Sequence, residues 1–108
     1  MENMILMYEL HLGENNFTEV PECIASMTGL RFLGISKLGL SELPDFIGTF
    51  TKLIRLYISD NQLLRIPDSF QNLSNLRYIY LKNNPLVGIG EEMDRVKILL
   101  PSCRVMLR

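Results

Sequence analysis

Apolar residues recur along this chain at intervals of 23 residues. Pro21, Pro44 and Pro67 are separated by two equal steps of that length. Columns of apolar residues keep the same spacing through four successive units. Three of these columns are Leu10, Leu33, Leu56 and Ile79; Leu12, Ile35, Ile58 and Leu81; and Ile24, Ile47, Phe70 and Met93. A fixed period of this length indicates a repeat architecture, in which each unit must stack on its neighbours to bury its apolar face.

The start of each unit alternates apolar and polar residues, which predicts a short strand with one face buried. Stacking such strands predicts a parallel sheet, and each proline then starts an extended or 3₁₀ segment on the opposite side, where no strand amide is needed. We divide the single domain as follows: a partial repeat at 1–6, repeats at 7–29, 30–52, 53–75 and 76–99, and a C-terminal cap over 91–108.

Two of the units carry a recognisable motif. LRFLGISKLGLSELPDFIGTFTK (30–52) and LIRLYISDNQLLRIPDSFQNLSN (53–75) resemble the leucine-rich repeat pattern L-x-x-L-x-L-x-x-N-x-L-x-x-L-P. The 23-residue length and the Leu-Pro or Ile-Pro step are similar to the short-repeat class of Ras-suppressor-like intracellular proteins and of many bacterial ones. The resemblance covers nearly the whole chain. It implies an α/β solenoid, a horseshoe fragment with a curved parallel sheet of about five strands, convex 3₁₀ or extended segments and a C-terminal helical cap.

Asparagines occupy one column at the end of the predicted strands. Asn15, Asn61 and Asn84 lie where the chain turns away from the sheet, and their amides can satisfy backbone groups of that turn and of the neighbouring one. We therefore assign these three residues a structural role. Leu38 interrupts the column, so we expect a local irregularity there, in which Leu38 either fills the interior or leaves a looser turn.

The two ends of the chain differ. The segment EEMDRVKILL has acids first and bases later, which predicts a helix that ends before Pro101. A last strand with Cys103 and Val105 inward would complete a cap. At the other end, residues 1–6 supply only a fraction of a repeat, and the first strand would be a sheet edge, which is a liability unless covered. Three explanations stay open: a longer solenoid, a homodimer through this edge, or a minimal cap formed by residues 1–6.

Composition and charge give few further indications. The 108 residues carry a net charge of −1, which gives no reason to expect nucleic acid. Residues 1–50 hold seven acids and two bases, whereas 51–108 hold nine bases and five acids, so we expect one acidic and one basic end.

No signal peptide or membrane-spanning segment is visible in the sequence. Cys23 and Cys103 should lie too far apart to pair, and we expect a reducing, cytoplasmic location.

No arrangement of residues in the sequence predicts catalysis. His11 is the single histidine, and neither cysteine should lie near it. Metal-ligand spacings and phosphate-binding glycine motifs are absent from the sequence, so we predict no cofactor, no metal and no enzyme activity.

The outward strand positions form the candidate site. Phe, Tyr and Arg on a rigid exposed sheet are typical of a protein-binding hot spot. The predicted contact residues are Glu9, His11, Phe32, Gly34, Arg55, Tyr57, Tyr78, Tyr80 and Lys82. Arg55 should stack between Phe32 and Tyr78, and Gly13 with Gly34 should leave a notch beside His11 and Tyr57. A second interpretation stays open, because tyrosines on a sheet can simply brace their neighbours.

The family resemblance implies that a protein partner binds the concave face, in a scaffold or signalling role. Two alternatives remain: a structural segment of a larger protein, and the substrate-recognition module of an enzyme whose catalytic domain lies elsewhere. We expect neither nucleic acid nor membrane as partner, and the identity of the protein partner is open.

Overall fold

Five short parallel strands stand side by side in the order in which they occur along the chain. The computed structural model of the protein describes residues 9–12 and 20–107. Within them the strands are β1 (Glu9–His11), β2 (Phe32–Gly34), β3 (Arg55–Tyr57), β4 (Tyr78–Tyr80) and β5 (Arg104–Met106). Leu10 lies beside Leu33, Leu33 beside Leu56 and Leu56 beside Ile79, so the 23-residue period of the sequence is the register of the sheet.

The convex side of each repeat is a short 3₁₀ helix. These helices are Glu22–Ser26, Asp45–Thr49, Asp68–Asn72 and Pro85–Gly88. The first three each follow a proline in extended conformation, with φ of −62°, −71° and −65° at Pro21, Pro44 and Pro67. A proline has no amide to leave unpaired and its φ is already restricted, so it suits the start of a helical turn.

The core lies between the sheet and the 3₁₀ helices. The middle residue of each inner strand is fully buried, and each repeat adds side chains from its convex side, with Phe50 and Phe70 the largest. Fully buried side chains include Leu30, Leu33, Ile35, Ile47, Leu53, Leu56, Ile58, Leu63, Ile66, Ile79 and Leu81. These are the predicted apolar columns, so the fold class expected from the sequence is confirmed: a leucine-rich repeat solenoid with a parallel five-stranded sheet.

Buried asparagines connect successive repeats through their side chains. Oδ1 of Asn61 accepts hydrogen bonds from the amides of Leu38 and Leu40 in the preceding repeat, both at 3.0 Å. Nδ2 of Asn61 donates to the carbonyls of Ile35 at 3.0 Å and Ile58 at 3.1 Å. One amide thus satisfies four buried backbone groups that would otherwise have lost their hydrogen bonds to water.

Asn84 makes the equivalent hydrogen bonds one repeat further along the chain. Its Oδ1 accepts from the amide of Leu63 at 3.2 Å, and its Nδ2 donates to the carbonyls of Ile58 and Leu81, both at 2.9 Å. Asn15, the third member of the predicted column, lies outside the described residues.

Leu38 fills the interior, which is the first of the two alternatives for this position. It is buried, and the turn before it is the same as in the other repeats, because Lys37, Asp60 and Asn83 have φ of 62°, 60° and 61°. The irregularity lies one residue later, where Gly39 has φ of 71°. This additional positive φ suits glycine, which has no Cβ to clash in the left-handed region.

The C-terminal helix α1 (Gly90–Leu99) covers the open end of the core. Val96 and Leu100 are buried beneath it, and β5 then pairs with β4. Glu92 and Arg95 face repeat three, where the Ile66 amide donates to Oε2 of Glu92 at 3.1 Å and the Ile66 carbonyl accepts from Nη1 of Arg95 at 2.8 Å. The Nη2 group of Arg95 also pairs with the Asp68 carboxylate. Side chains of the cap therefore satisfy a backbone amide and carbonyl of the preceding repeat.

Both cysteines are free thiols. Cys23 is exposed on the convex side. We predicted that Cys103 is buried, but it is only partly buried, because β5 is the last described strand and nothing in the described residues covers its outer side. The burial it does have raises the pKa of the Cys103 thiol to about 11, which keeps it protonated at neutral pH. No helix among the described residues has both the length and the apolar composition needed to cross a membrane.

Replacing Asn61 with alanine should destabilise the protein strongly. The substitution leaves the amides of Leu38 and Leu40 and the carbonyl of Ile35 unsatisfied, whereas the Ile58 carbonyl keeps its bond from Asn84. At about 1–3 kcal/mol for each unsatisfied group before any water enters, we expect a loss of about 3 kcal/mol or more in the free energy of unfolding. Urea unfolding followed by circular dichroism measures this. Asn75→Ala is the matched control, because Asn75 is exposed and makes one bond to the Thr51 carbonyl. Equal losses in the two variants would contradict the structural role of Asn61.

Replacing Arg95 with methionine should loosen the cap. The Ile66 carbonyl loses its donor, which costs about 1 kcal/mol or more. Arg95 also lowers the pKa of Asp68 by hydrogen bonding and charge. A carboxylate with a lowered pKa stabilises the fold above its ordinary pKa, and this contribution is lost as the pH falls through the lowered value.

The stability difference between the wild type and Arg95→Met should therefore be largest near neutral pH and shrink on acidification below about pH 4. Urea midpoints measured between pH 7 and pH 2 follow this difference. Arg65→Met is the control, because the Arg65 guanidinium is exposed and 3.9 Å from the same carboxylate. A difference that does not change with pH would contradict the role of the Asp68 pair.

Candidate protein-binding face

The register of the sheet arranges the outward side chains in two rows. We call the exposed side of the strands the concave face. Residues in the same row are partners across adjacent strands, at a separation of about 5 Å. The first row is Glu9, Phe32, Arg55, Tyr78 and Arg104, and the second is His11, Gly34, Tyr57, Tyr80 and Met106. The predicted contact residues in the strands therefore form two adjacent rows on the same side of the sheet.

Arg55 lies at the centre of the first row. Its guanidinium carbon is 5.0 Å from the ring centre of Tyr78 and 6.0 Å from that of Phe32. At these distances a cation is attracted to the negative faces of the rings. A side-chain hydrogen bond with Tyr57 raises the pKa of Arg55, so the guanidinium stays positively charged. The Arg55 side chain is half-buried and remains accessible to a partner.

Aromatic stacking organises the second row. The rings of Tyr57 and Tyr80 are 4.6 Å apart and 17° from parallel, which is a stacked arrangement. The His11 ring lies on the other side of Tyr57, with centroids 5.8 Å apart and tilted by 43°. Both tyrosines are half-buried: each covers some of its neighbour and exposes the rest. The predicted bracing contact exists, and it leaves aromatic surface free.

The notch predicted at Gly34 is wrong. Gly34 is buried, and a Cβ atom at this position would clash with Nδ1 of His11. The imidazole therefore lies over the glycine and fills the space that we assigned to a partner side chain. The same ring donates through Nε2 to Oε2 of Glu9 at 2.7 Å, which fixes its position. Gly13, the other glycine of the proposed notch, lies outside the described residues.

Polar side chains line the concave face where the chain leaves the strands. Lys82 is exposed there, and Nδ2 of Asn83 donates to Oδ1 of Asp60 at 2.5 Å. This contact between Asn83 and Asp60 connects two adjacent repeats.

Arg104 and Met106 belong to the concave face and are missing from the sequence prediction. They pair with Tyr78 and Tyr80 at a separation of 26 residues, because the α-helical cap is longer than a 3₁₀ segment. A search with the 23-residue period therefore passes over them. The alternation of outward and inward residues in Arg104–Met106 is the feature of the sequence from which these two contact residues can be identified.

Surface cavities flank the sheet on two sides. One, of about 710 Å³, lies where the chain leads from the strands into the 3₁₀ helices, and Leu43, Leu64, Arg65 and Asp68 are among its lining residues. Another, of about 450 Å³, lies where the chain returns to the strands and is lined by Arg31, Lys52, Ile54, Asn75 and Arg77. Within the described ranges, no group of three or more His, Cys, Asp or Glu residues is placed to hold a metal ion.

Comparisons with known proteins agree with this geometry. The family profile described as Leucine rich repeat matches residues 39–86. No curated protein sequence is significantly similar to the chain. A solved leucine-rich repeat protein of Leptospira interrogans is 37% identical with a TM-score of 0.83, and the match covers 91% of this chain. This chain spans 24% of the length of that protein.

A second solved structure supports the fold alone. The structure of the Toll–Spatzle complex of Drosophila matches with a TM-score of 0.59 at 17% identity, over 78% of this chain and 15% of the other. The repeated motif, the parallel sheet with 3₁₀ helices on its convex side and the similarity to the Leptospira protein lead to one conclusion. This chain belongs to the leucine-rich repeat family.

Proposed function

We propose that the chain is a non-catalytic protein-recognition module that binds a protein partner on its concave face. The observation that carries this proposal is the cluster of Arg55, Tyr57, Tyr78 and Tyr80, in which each side chain is held by its neighbours and remains partly exposed. Aromatic and arginine side chains that are ordered before binding lose little conformational entropy on association, and they are the commonest hot-spot residues.

The family supports the same proposal at a coarser level. Leucine-rich repeat proteins generally mediate interactions between proteins. A scaffold or signalling adaptor role for this chain is our finer proposal. The shifted pKa values of Asp68, Arg95 and Cys103 have structural causes, namely ion pairing in the cap and burial, and these three groups do not converge with a base and a nucleophile at one site.

A second candidate function is a structural or substrate-recognition segment within a larger protein. One observation favours it: the chain spans 24% of the length of the Leptospira protein that it resembles. In that case β1 would continue into further rungs, and the concave face would extend beyond the five strands.

The double substitution Tyr57→Ala with Tyr80→Ala should weaken partner binding strongly and leave the fold in place. Loss of two hot-spot side chains costs about 2 kcal/mol or more, or about 30-fold in affinity. The measurement is titration calorimetry with a partner captured by cross-linking from the source cells, together with a thermal melt of each variant.

Leu64→Ala with Ile98→Ala is the matched control for this test, because both side chains are large, apolar and exposed outside the concave face. Unchanged affinity in the tyrosine variant would contradict binding on the concave face. A collapse of the melt together with binding would favour the bracing interpretation instead.

We also propose, as a separate point, that β1 can pair with a second copy of the chain. The support is that β1 is the terminal strand of the described sheet, with backbone groups along an edge. Light scattering over a range of concentrations should then show a mass rising towards twice 12.5 kDa. A constant monomer mass at all concentrations would exclude this dimer.

A further inference from the structure

Positive and negative charges are distributed differently over the two faces of this protein, as well as over the two halves of its sequence. Four arginines lie in the strands or immediately before them, and Glu9 is the one acidic residue in the described strands. These arginines are Arg31, Arg55, Arg77 and Arg104. On the convex side, three of the 3₁₀ helices begin with the acids Glu22, Asp45 and Asp68, of which Asp68 is paired with Arg95. The acidic and basic ends predicted from the sequence are therefore an incomplete description of the charge distribution.

The smaller cavity concentrates this positive charge. We call it the basic cavity, defined by its five lining residues Arg31, Lys52, Ile54, Asn75 and Arg77. Among the described lining residues three are cations and none is an acid, and the half-buried side chain of Ile54 supplies apolar surface between them. The exposed charges of Lys52 and Arg77, with no acid among the described lining residues, attract anionic groups.

The backbone ladder fixes the spacing between the backbones of Arg31 and Arg77. The Ile54 amide donates to the Arg31 carbonyl at 2.7 Å, and the Arg77 amide donates to the Ile54 carbonyl at 2.8 Å. Arg31 and Arg77 therefore stand two rungs apart, or about 10 Å at the usual strand spacing. Asn75 is anchored by donating from Nδ2 to the Thr51 carbonyl at 2.9 Å.

Lys52 and Arg77 differ from Arg95 and Arg65 in their ion pairing. Arg95 is neutralised by Asp68 and Glu92, and Arg65 lies near Asp68. In the described residues, by contrast, Lys52 and Arg77 form no ion pair and both are exposed. Their charges are available to an external anion.

The basic cavity lies next to the first row of the concave face, because its residues Arg31, Ile54 and Arg77 each directly precede a residue of that row in the chain. Arg55 directly follows Ile54 in the chain and lies between Phe32 and Tyr78. Arg104 pairs with Tyr78 on the next strand. A ligand that places an anion in the cavity can therefore extend over Arg55 onto the stacked rings of Tyr57 and Tyr80.

We infer that the partner bound by this protein presents an extended acidic peptide segment, with carboxylates in the basic cavity and an apolar side chain on the Tyr57–Tyr80 stack. The inference rests on the proposed function and specifies the chemistry of the partner. A peptide fits better than a nucleic acid, because Glu9 shares the same face and three convex 3₁₀ helices begin with acids, so a polyanion that wraps around the edge of the protein would be repelled.

The test uses a phage library of random twelve-residue peptides selected on the folded 108-residue chain. We expect the selected peptides to contain at least twice the Asp and Glu of the starting library. Affinity, measured by fluorescence anisotropy on a synthetic copy, should fall at least tenfold in Lys52→Glu with Arg77→Glu and should also fall with added salt. Arg65→Glu with Lys97→Glu is the matched control, because it makes the same change in net charge at exposed bases outside this surface.

The outcomes separate this inference from the proposed function. Selected peptides that depend on Tyr57 and Tyr80 but are not enriched in acids, or that bind Lys52→Glu with Arg77→Glu normally, would overturn the acidic partner and leave the concave-face function standing. Peptides that are unaffected by Tyr57→Ala with Tyr80→Ala would contradict both. An equal loss of affinity in Arg65→Glu with Lys97→Glu would show that net charge alone causes the effect, and it would overturn the inference. Tighter binding of a mixed-sequence single-stranded RNA, lost in the same cavity variant, would assign the surface to nucleic acid instead.

Discussion

The whole structure depends on the pairing of each residue with the residue one repeat away. A repeat of this size cannot bury its apolar face or satisfy its turning backbone alone. In two successive repeats a single buried side chain satisfies the turning backbone: the Asn61 amide bonds to two backbone amides and two carbonyls, and Asn84 plays the same role in the next repeat. Where the period ends, Glu92 and Arg95 take over this task for Ile66. The need to pair buried backbone groups therefore determines the period, the asparagine column and the chemistry of the cap.

The same constraint creates the recognition surface. Because the strands are parallel and in register, equivalent outward residues become immediate neighbours, and four of them form a mutually supporting cluster of Arg55, Tyr57, Tyr78 and Tyr80. Bracing and binding are compatible here, since stacking fixes the rings in the orientation that a partner would meet and so reduces the entropy lost on binding. At the strand entrances the ladder also brings Arg31 and Arg77 to the two sides of Ile54, which gives the basic cavity its shape.

Much of this could be predicted from the 23-residue period, and the errors have physical reasons. The period places core columns, strands and most of the concave face, because register alone decides them. It does not reach Arg104 and Met106, since the helical cap changes the offset to 26 residues. It also misplaces the notch at Gly34, because a glycine leaves room that a neighbouring rung can fill, and the ring of His11 does so. The basic cavity was missed because Arg31, Ile54 and Arg77 share a column with no common residue type, so a search for repeated residues passes over it.

The register has a consequence for how such a surface can change. Loss of residues 53–75 as a unit would bring Phe32 beside Tyr78 and Gly34 beside Tyr80, and Asn84 would take the position of Asn61. The stacking of rungs would survive, whereas the arginine between two rings and the stacked pair of tyrosines would both disappear. The inward columns therefore determine how repeats stack, and the outward columns determine which surface a partner meets. Gain or loss of whole repeats can generate new binding specificities during evolution without a new fold.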